Sequence, residues 1–240
     1  MYTITLGGMS GGGARDIGPM VAQKLKADYV DRIFLSNIAK DVGATVEALH
    51  QREEKLPSRS EKWIHVIQRL LERSAVTGSA GDPYFGPGIT ALLTEEYEDI
   101  PQPTITRGHE VEDDVYIEAI ESAMKEMAAD GDVVFIGRGG HVILKDMPNV
   151  LRVGVVASLE DRVKTLMARE AIDSSDEAIV VLEQRDQARK YFFKKYFELD
   201  EPDNPNLFHF TINSSEISTN YAAEMVIQNL NSFVDGRMFE

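Results

Sequence analysis

Apolar positions along the chain alternate between short continuous runs and helical stripes. Tyr2 to Leu6 reads as a strand of β-branched and aromatic side chains. Ile17, Met20, Val21 and Leu25 then return at helical spacing. Ala27 to Arg32 reads as a second short strand ending in a charged pair. Ile33 to Lys55 is helical with a break near Gly43, and Glu61 to Ser74 carries Trp63, Ile67, Leu70 and Leu71 on one face. Glycine and proline interrupt Thr77 to Gly88, a helical piece follows over Thr90 to Tyr97, and Pro101 to Thr106 carries proline and threonine. Val115 to Ala129 is amphipathic through Ile117, Ile120, Met124 and Met127. Val133 to Ile136 and Leu151 to Val156 have the apolar density of buried parallel strands. Ser158 opens a helix in the manner of a capping box, with Leu159, Val163, Leu166 and Met167 inward. Ser174 opens another that runs to about Tyr196, an acidic loop spans Glu198 to Asn206, and Leu207 to Ser214 alternates like a last strand. Tyr221, Met225, Val226 and Leu230 line a final helix. Strands alternating with helices predict an α/β fold with a parallel sheet.

Chemistry concentrates where the first strand meets the first helix. Five of the seven residues from Gly7 to Gly13 are glycine. Such a strand, loop and helix can curl backbone N–H groups inward and add the partial positive charge of a helix start. Gly8 and Gly13 satisfy G-x-x-x-x-G, but Ala14 and Arg15 stand where a P-loop has Lys and Ser/Thr. The phosphate-reaching ammonium and the magnesium-holding hydroxyl are therefore missing. Arg15 offers a guanidinium in their place. The dinucleotide pattern G-x-G-x-x-G fits less well, because Asp16 falls at its third glycine. The plain alternative is a glycine-rich turn that binds nothing.

Composition narrows the possibilities. The chain has 240 residues, no cysteine and a formal charge of −15. That is one sizeable core with room for an appendage. The missing thiols suit a reducing cytoplasm, and no apolar run approaches the roughly 20 residues of a membrane span. No charged segment precedes an apolar run at the N-terminus, so no signal peptide is expected. The acidity argues against a sequence-independent nucleic-acid binder, and it requires that arginines gather locally around any phosphate. The bland reading of the charge is solubility.

Ile4-Thr5-Leu6, Gly11-Gly12-Gly13, Arg15-Asp16-Ile17-Gly18 and Ala22 with Leu25 resemble the opening of the cytidylate kinase-like family, a divergent branch of the P-loop nucleoside monophosphate kinases. Gly137-Arg138-Gly139-Gly140 and the strand ending Ile212-Asn213-Ser214 resemble further segments of it. The resemblance implies a P-loop NTPase fold with a mainly parallel five-stranded sheet, helices on both faces, an inserted helical segment and a lid. It implies one kinase-like domain over residues 1–240, with an acceptor-site insertion at 33–114 and a lid at 172–206. The implied activity is ATP-dependent phosphorylation of a nucleoside monophosphate, CMP or dCMP first. Magnesium would be held by nucleotide phosphates and water, with no side-chain ligand named.

On this resemblance Gly8, Ser10, Gly11, Gly12, Gly13, Ala14 and Arg15 cradle the nucleotide. Arg15, Arg138, Arg185 and Arg189 act on the transferred phosphoryl group. Asp31, Arg32, Arg138 and Arg162 meet the acceptor. The end of the last strand lies near the base. The expected partners are a nucleotide and a small phosphorylated substrate, with no nucleic acid and no membrane; the oligomeric state stays open. Each site also has a plainer reading. Asp31 and Arg32 can be a surface pair or a helix cap, Arg138 a solvated turn residue, and Arg185 with Arg189 an ordinary charged helix face. His50 and His65 read as structural, His141 as a turn residue, and Arg107 with His109 as exposed. Two other functions compete: a kinase for another small phosphate acceptor, and a nucleotide-binding sensor without turnover.

Overall fold

The computed structural model describes residues 1–31 and 120–240. The chain divides into two units, one of residues 1–31 with 130–240 and one of residues 32–129. In the second unit the described residues 120–129 are helical and bury Ile120, Ala123, Met124 and Met127, as the apolar stripe predicts. The readings of 33–55, 61–74, 77–88, 90–97 and 101–106, and those of Arg32, His50, His65, Arg107 and His109, lie outside the described residues.

The first unit is an α/β fold built on five parallel strands. They are β1 (Thr3–Gly8), β2 (Asp28–Val30), β3 (Val133–Ile136), β4 (Val150–Val156) and β5 (Phe210–Asn213), in the order β2-β3-β1-β4-β5. The helices are α1 (Ala14–Leu25), α2 (Gly140–Ile143), α3 (Leu159–Glu170), α4 (Ser175–Phe197) and α5 (Thr219–Val234). β1 pairs with both β3 and β4, so the winding reverses across it. In open parallel sheets the ligand crevice lies beyond the strand ends at such a reversal. The segment after β1 is the glycine loop.

One sheet face is apolar in every strand it can use. Ile4, Leu6, Val134, Leu151, Val153, Val155 and Ile212 meet Ile17, Val21 and Ala22 of α1 and Ala222, Ala223, Val226 and Leu230 of α5. The opposite face contains Thr5, Gly7 and Gly154. Here bulk comes from above. Phe208 and His141 stack with ring centroids 4.8 Å apart, and Phe193 of α4 lies 5.3 Å from His141. A Cβ on Gly7 would stand 3.0 Å from both the His141 ring and the Phe208 ring. Helices thus cover both faces.

The sequence reading needs two corrections here. The last strand is shorter than its alternation suggests, because Pro205–Leu207 form a 3-10 turn and Phe208 folds down over the sheet instead of continuing it. His141 is not a turn residue; it is 2% exposed within α2. Burial drives its pKa down to about 3, aided by the charge of Arg189. It therefore stays neutral as part of the aromatic stack.

Candidate functional site

The glycine loop is shaped by close packing. Gly8, Gly11 and Gly13 all take positive φ, at 146°, 73° and 96°. At Gly8 no side chain fits, since a Cβ would lie 1.9 Å from the Val155 carbonyl oxygen. Gly13 is the N-cap of α1 and has no side-chain cap of its own. Two outside side chains tie back carbonyls of the loop. Arg162 of α3 donates from Nε to Ser10 O at 2.7 Å, and Ser214, just past β5, donates from Oγ to Gly12 O at 2.8 Å. These two contacts fix the loop's carbonyls, Gly12 N donates within the loop to Met9 O at 3.0 Å, and the start of α1 offers the backbone donors that a helix N-terminus presents.

Strand ends bring the other candidate residues to the same edge. Tyr29 donates from its hydroxyl to Asp31 Oδ2 at 3.1 Å just after β2. Burial raises the Tyr29 pKa, Asp31 raises it further, and Arg15 and Arg169 act in the opposite sense. After β3, Gly137 N donates to Leu6 O at 3.0 Å, which sets the G-R-G turn beside the end of β1. Gly137, Arg138 and Gly139 are three successive left-handed residues, at φ 71°, 52° and 74°. Arg138 is 6% exposed. A buried, branched-charge residue held in that conformation carries strain of about 1 kcal/mol or more.

α3 and α4 supply the remaining arginines, each already matched to a carboxylate. Arg162 Nη2 contacts both oxygens of Asp186, at 2.8 and 2.7 Å. Arg185 grips Glu170 with two nitrogens, Nη1 to Oε1 at 2.6 Å and Nη2 to Oε2 at 2.8 Å. Hydrogen bonding from Arg185 is the main cause that holds the Glu170 carboxyl below the usual carboxylate range, with Arg185, Arg15 and Arg169 adding charge. Arg169 pairs with Asp16 at 3.1 Å. Arg189 pairs with Asp203 at 2.6 Å and lies 4.9 Å from the centre of the Phe193 ring.

These contacts sort the residues singled out from sequence. Arg15 and Arg185 share the neighbourhood of Glu170 and Arg169, and Arg15 also acts on the Tyr29–Asp31 pair. Arg162 braces the loop. Arg189 joins the aromatic stack over the second sheet face. Sequence reading missed Asp16 as a partner of Arg169, Ser214 as a brace of the loop, and Glu170, Asp186 and Asp203 altogether. Arg162 and Arg169, seven apart on one helix, carried the usable signal: both turn toward the glycine loop and the start of α1.

Among the described residues no three His, Asp or Glu side chains gather as a metal cage. Asp16, Asp31 and Glu170, the carboxylates near the loop, each have a side-chain partner. Glycine is required in this loop by the protein's own packing, since a Cβ at Gly8, Gly11, Gly12 or Gly13 would crowd Val155, Arg162, Met9 or Ser214; a phosphate chain would meet the backbone amides at the start of α1. Magnesium would then sit on phosphate oxygens and water. No described helix is long and apolar enough to cross a membrane.

A search of curated proteins finds no match. Among solved structures, an uncharacterized protein from Eubacterium ventriosum aligns with a TM-score of 0.58 at 18% identity, covering 96% of this chain and 98% of that one. The shikimate kinase of Acinetobacter baumannii, solved with shikimate, aligns at 0.45 and 12% identity, covering 97% and 94%. The shikimate kinase of Bacteroides thetaiotaomicron aligns at 0.42 and 15%, covering 98% of each chain. The sequence model of the cytidylate kinase-like family matches residues 3–216. With that match across the glycine loop, the G-R-G turn and the end of β5, the chain belongs to the cytidylate kinase-like family.

Proposed function

We propose that the protein transfers the γ-phosphoryl group of ATP to a nucleoside monophosphate, with CMP or dCMP as the first candidates. The observation that carries this reading is the braced glycine loop facing arginines from α1, α3 and α4. Phosphoryl transfer asks a protein mainly for alignment and for positive charge around the moving group. An acceptor phosphate oxygen attacks the γ-phosphorus, the bond to the bridging oxygen breaks, and ADP leaves.

In this mechanism the amides of Gly11 and Gly13 and the start of α1 hold the donor phosphates, with Gly8, Ser10, Gly12 and Ala14 shaping the loop; Gly12 N donates within it to Met9 O. Arg15 and Arg185 place charge beside the transferred group, in the role that the lysine of other P-loops fills. Arg138, at the end of β3, reaches the acceptor phosphate; Asp31 follows β2 on the acceptor side, and Arg32 keeps the acceptor-binding role that the family resemblance implies. Arg162 supports the loop through Ser10 and Asp186. Arg189 supports α4 through Phe193 and Asp203. Bound magnesium would neutralise developing charge on the phosphates. The absence of cysteine suits a reaction in a reducing cytoplasm.

Ala14 and Arg15 at the two Walker positions favour a second reading, a nucleotide-binding sensor without turnover. A coupled ADP-release assay against a panel of monophosphates and other small phosphate acceptors separates the two. Rapid ADP release with CMP or dCMP supports the kinase. Tight ATP binding with no acceptor-dependent release on any member supports the sensor. Turnover with a different acceptor keeps the reaction and changes the substrate.

A further inference from the structure

Resting on the phosphate-binding reading of Arg185, we propose that Glu170 is an internal stand-in for a ligand phosphate: its carboxylate occupies the Arg185 fork, and an incoming phosphoryl group displaces it. The geometry is that of ligand recognition. Two Arg185 nitrogens meet the two Glu170 oxygens one to one, at 2.6 and 2.8 Å, the parallel fork that guanidinium offers to carboxylate and phosphate alike. Arg185 is buried while Glu170 keeps 29% of its side chain exposed, so the fork is fixed and the carboxylate is the partner that can leave. Arg15 and Arg169 act on the same carboxylate. Arg185 alone grips the carboxylate directly, and the other two guanidinium groups add favourable charge, that of Arg169 shared with Asp16.

The position of Glu170 lets it withdraw. It is the last residue of α3, and Ala171 follows in the left-handed conformation at the C-cap. The other pairs differ. Asp186 holds Arg162, whose Nε is tied to the loop, and Asp203 holds Arg189 on the second sheet face. A fork filled by its own carboxylate imposes a threshold. A ligand with one weak oxyanion does not overcome it, whereas a polyphosphate that also engages the loop does. Glu170 thus sets both affinity and selectivity for multiply charged phosphates.

The test is calorimetric titration of the full chain with inorganic tripolyphosphate and with inorganic phosphate, at fixed ionic strength and pH 7.5. Wild type is compared with Glu170→Gln, Glu170→Asp and Arg185→Ala, each checked for an intact fold by circular dichroism. The Asp variant keeps the charge but is too short to fill the fork. Displacement predicts that both Glu170 variants bind tripolyphosphate about tenfold more tightly, with a larger relative gain for single phosphate. Tightening in the Gln variant alone reduces the effect to net charge and overturns the proposal. Unchanged or weakened binding in both variants assigns Glu170 to holding Arg185 in place and also overturns it. Equal binding by Arg185→Ala and wild type removes Arg185 from the phosphate site, which is failure of the underlying reading instead.

Discussion

Asp16, in the first turn of α1, and Arg169, in the last turn of α3, pair at 3.1 Å at the start of the helix that follows the glycine loop. An acidic residue beside a helix start would by itself repel a phosphate chain. The pair cancels that repulsion locally and adds a guanidinium near the site.

Removing one partner should therefore cost more than removing both. Arg169→Ala leaves Asp16 uncompensated and should weaken ATP binding about threefold to tenfold, the modest range of a part-exposed pair. Asp16→Asn in the same background should recover most of the loss. Titration calorimetry on the two single variants and the double variant reads the coupling directly, and strictly additive losses would show that the two side chains act apart.

Ser214 acts on the loop from behind. Its hydroxyl holds Gly12 O, and Ser214→Ala removes one hydrogen bond of about 1 kcal/mol. Nucleotide affinity should fall about fivefold while the melting temperature shifts by only a few degrees. A melting temperature that collapses, with affinity retained in the folded fraction, would make Ser214 a stability residue.

Arg138 offers a clean separation of side chain from backbone. Its left-handed conformation is one that glycine adopts freely. Arg138→Gly should therefore leave the turn intact and spare the strain that alanine would keep. Turnover should fall at least about tenfold with the far-ultraviolet spectrum unchanged. Wild-type rates in this variant would remove Arg138 from the reaction.

His141 predicts a pH dependence of stability. Its pKa in the folded chain is about 3, against an ordinary value of 6.5. Below about 6.5 the unfolded chain takes up a proton that the folded chain refuses, so stability falls as pH drops from there toward 3. By pH 5, about 1.5 pH units below 6.5, the loss is about 2 kcal/mol at about 1.4 kcal/mol per pH unit. His141→Phe keeps a ring between Phe193 and Phe208 and should flatten this part of the curve. Chemical denaturation at pH 7 and pH 5 measures it. Parallel losses in wild type and variant would assign the acid sensitivity elsewhere.

Local rules made much of the scaffold legible. Apolar runs marked β1, β3 and β4, glycine clusters marked the two turns at the sheet edge, and serines marked the starts of α3 and α4, where Ser158 and Ser174 accept backbone hydrogen bonds as expected. What escaped were features decided across space. Phe208 alternates properly for a strand, yet it leaves the ladder because two glycines open a space above Gly7 and Gly154 that its ring fills. His141 sits among glycines like a loop residue, yet the same space receives it. The carboxylate partners of the arginines lie 14 to 153 residues away, where no periodicity reports on them. Arg162 and Arg185 thus read alike in one dimension, although one is a strut under the loop and the other faces Glu170.

The foot of α4 sets a limit on how its far end can travel. Phe193 is seated against His141, and Phe197 lies where a Cβ on Gly139 would come within 2.9 Å of its ring. The far end is held as well, because Ala178 and Leu182 are buried against Val163 and Leu166 of α3. The helix is thus a beam supported at both ends, and Arg185 could leave its place only with α3 in company.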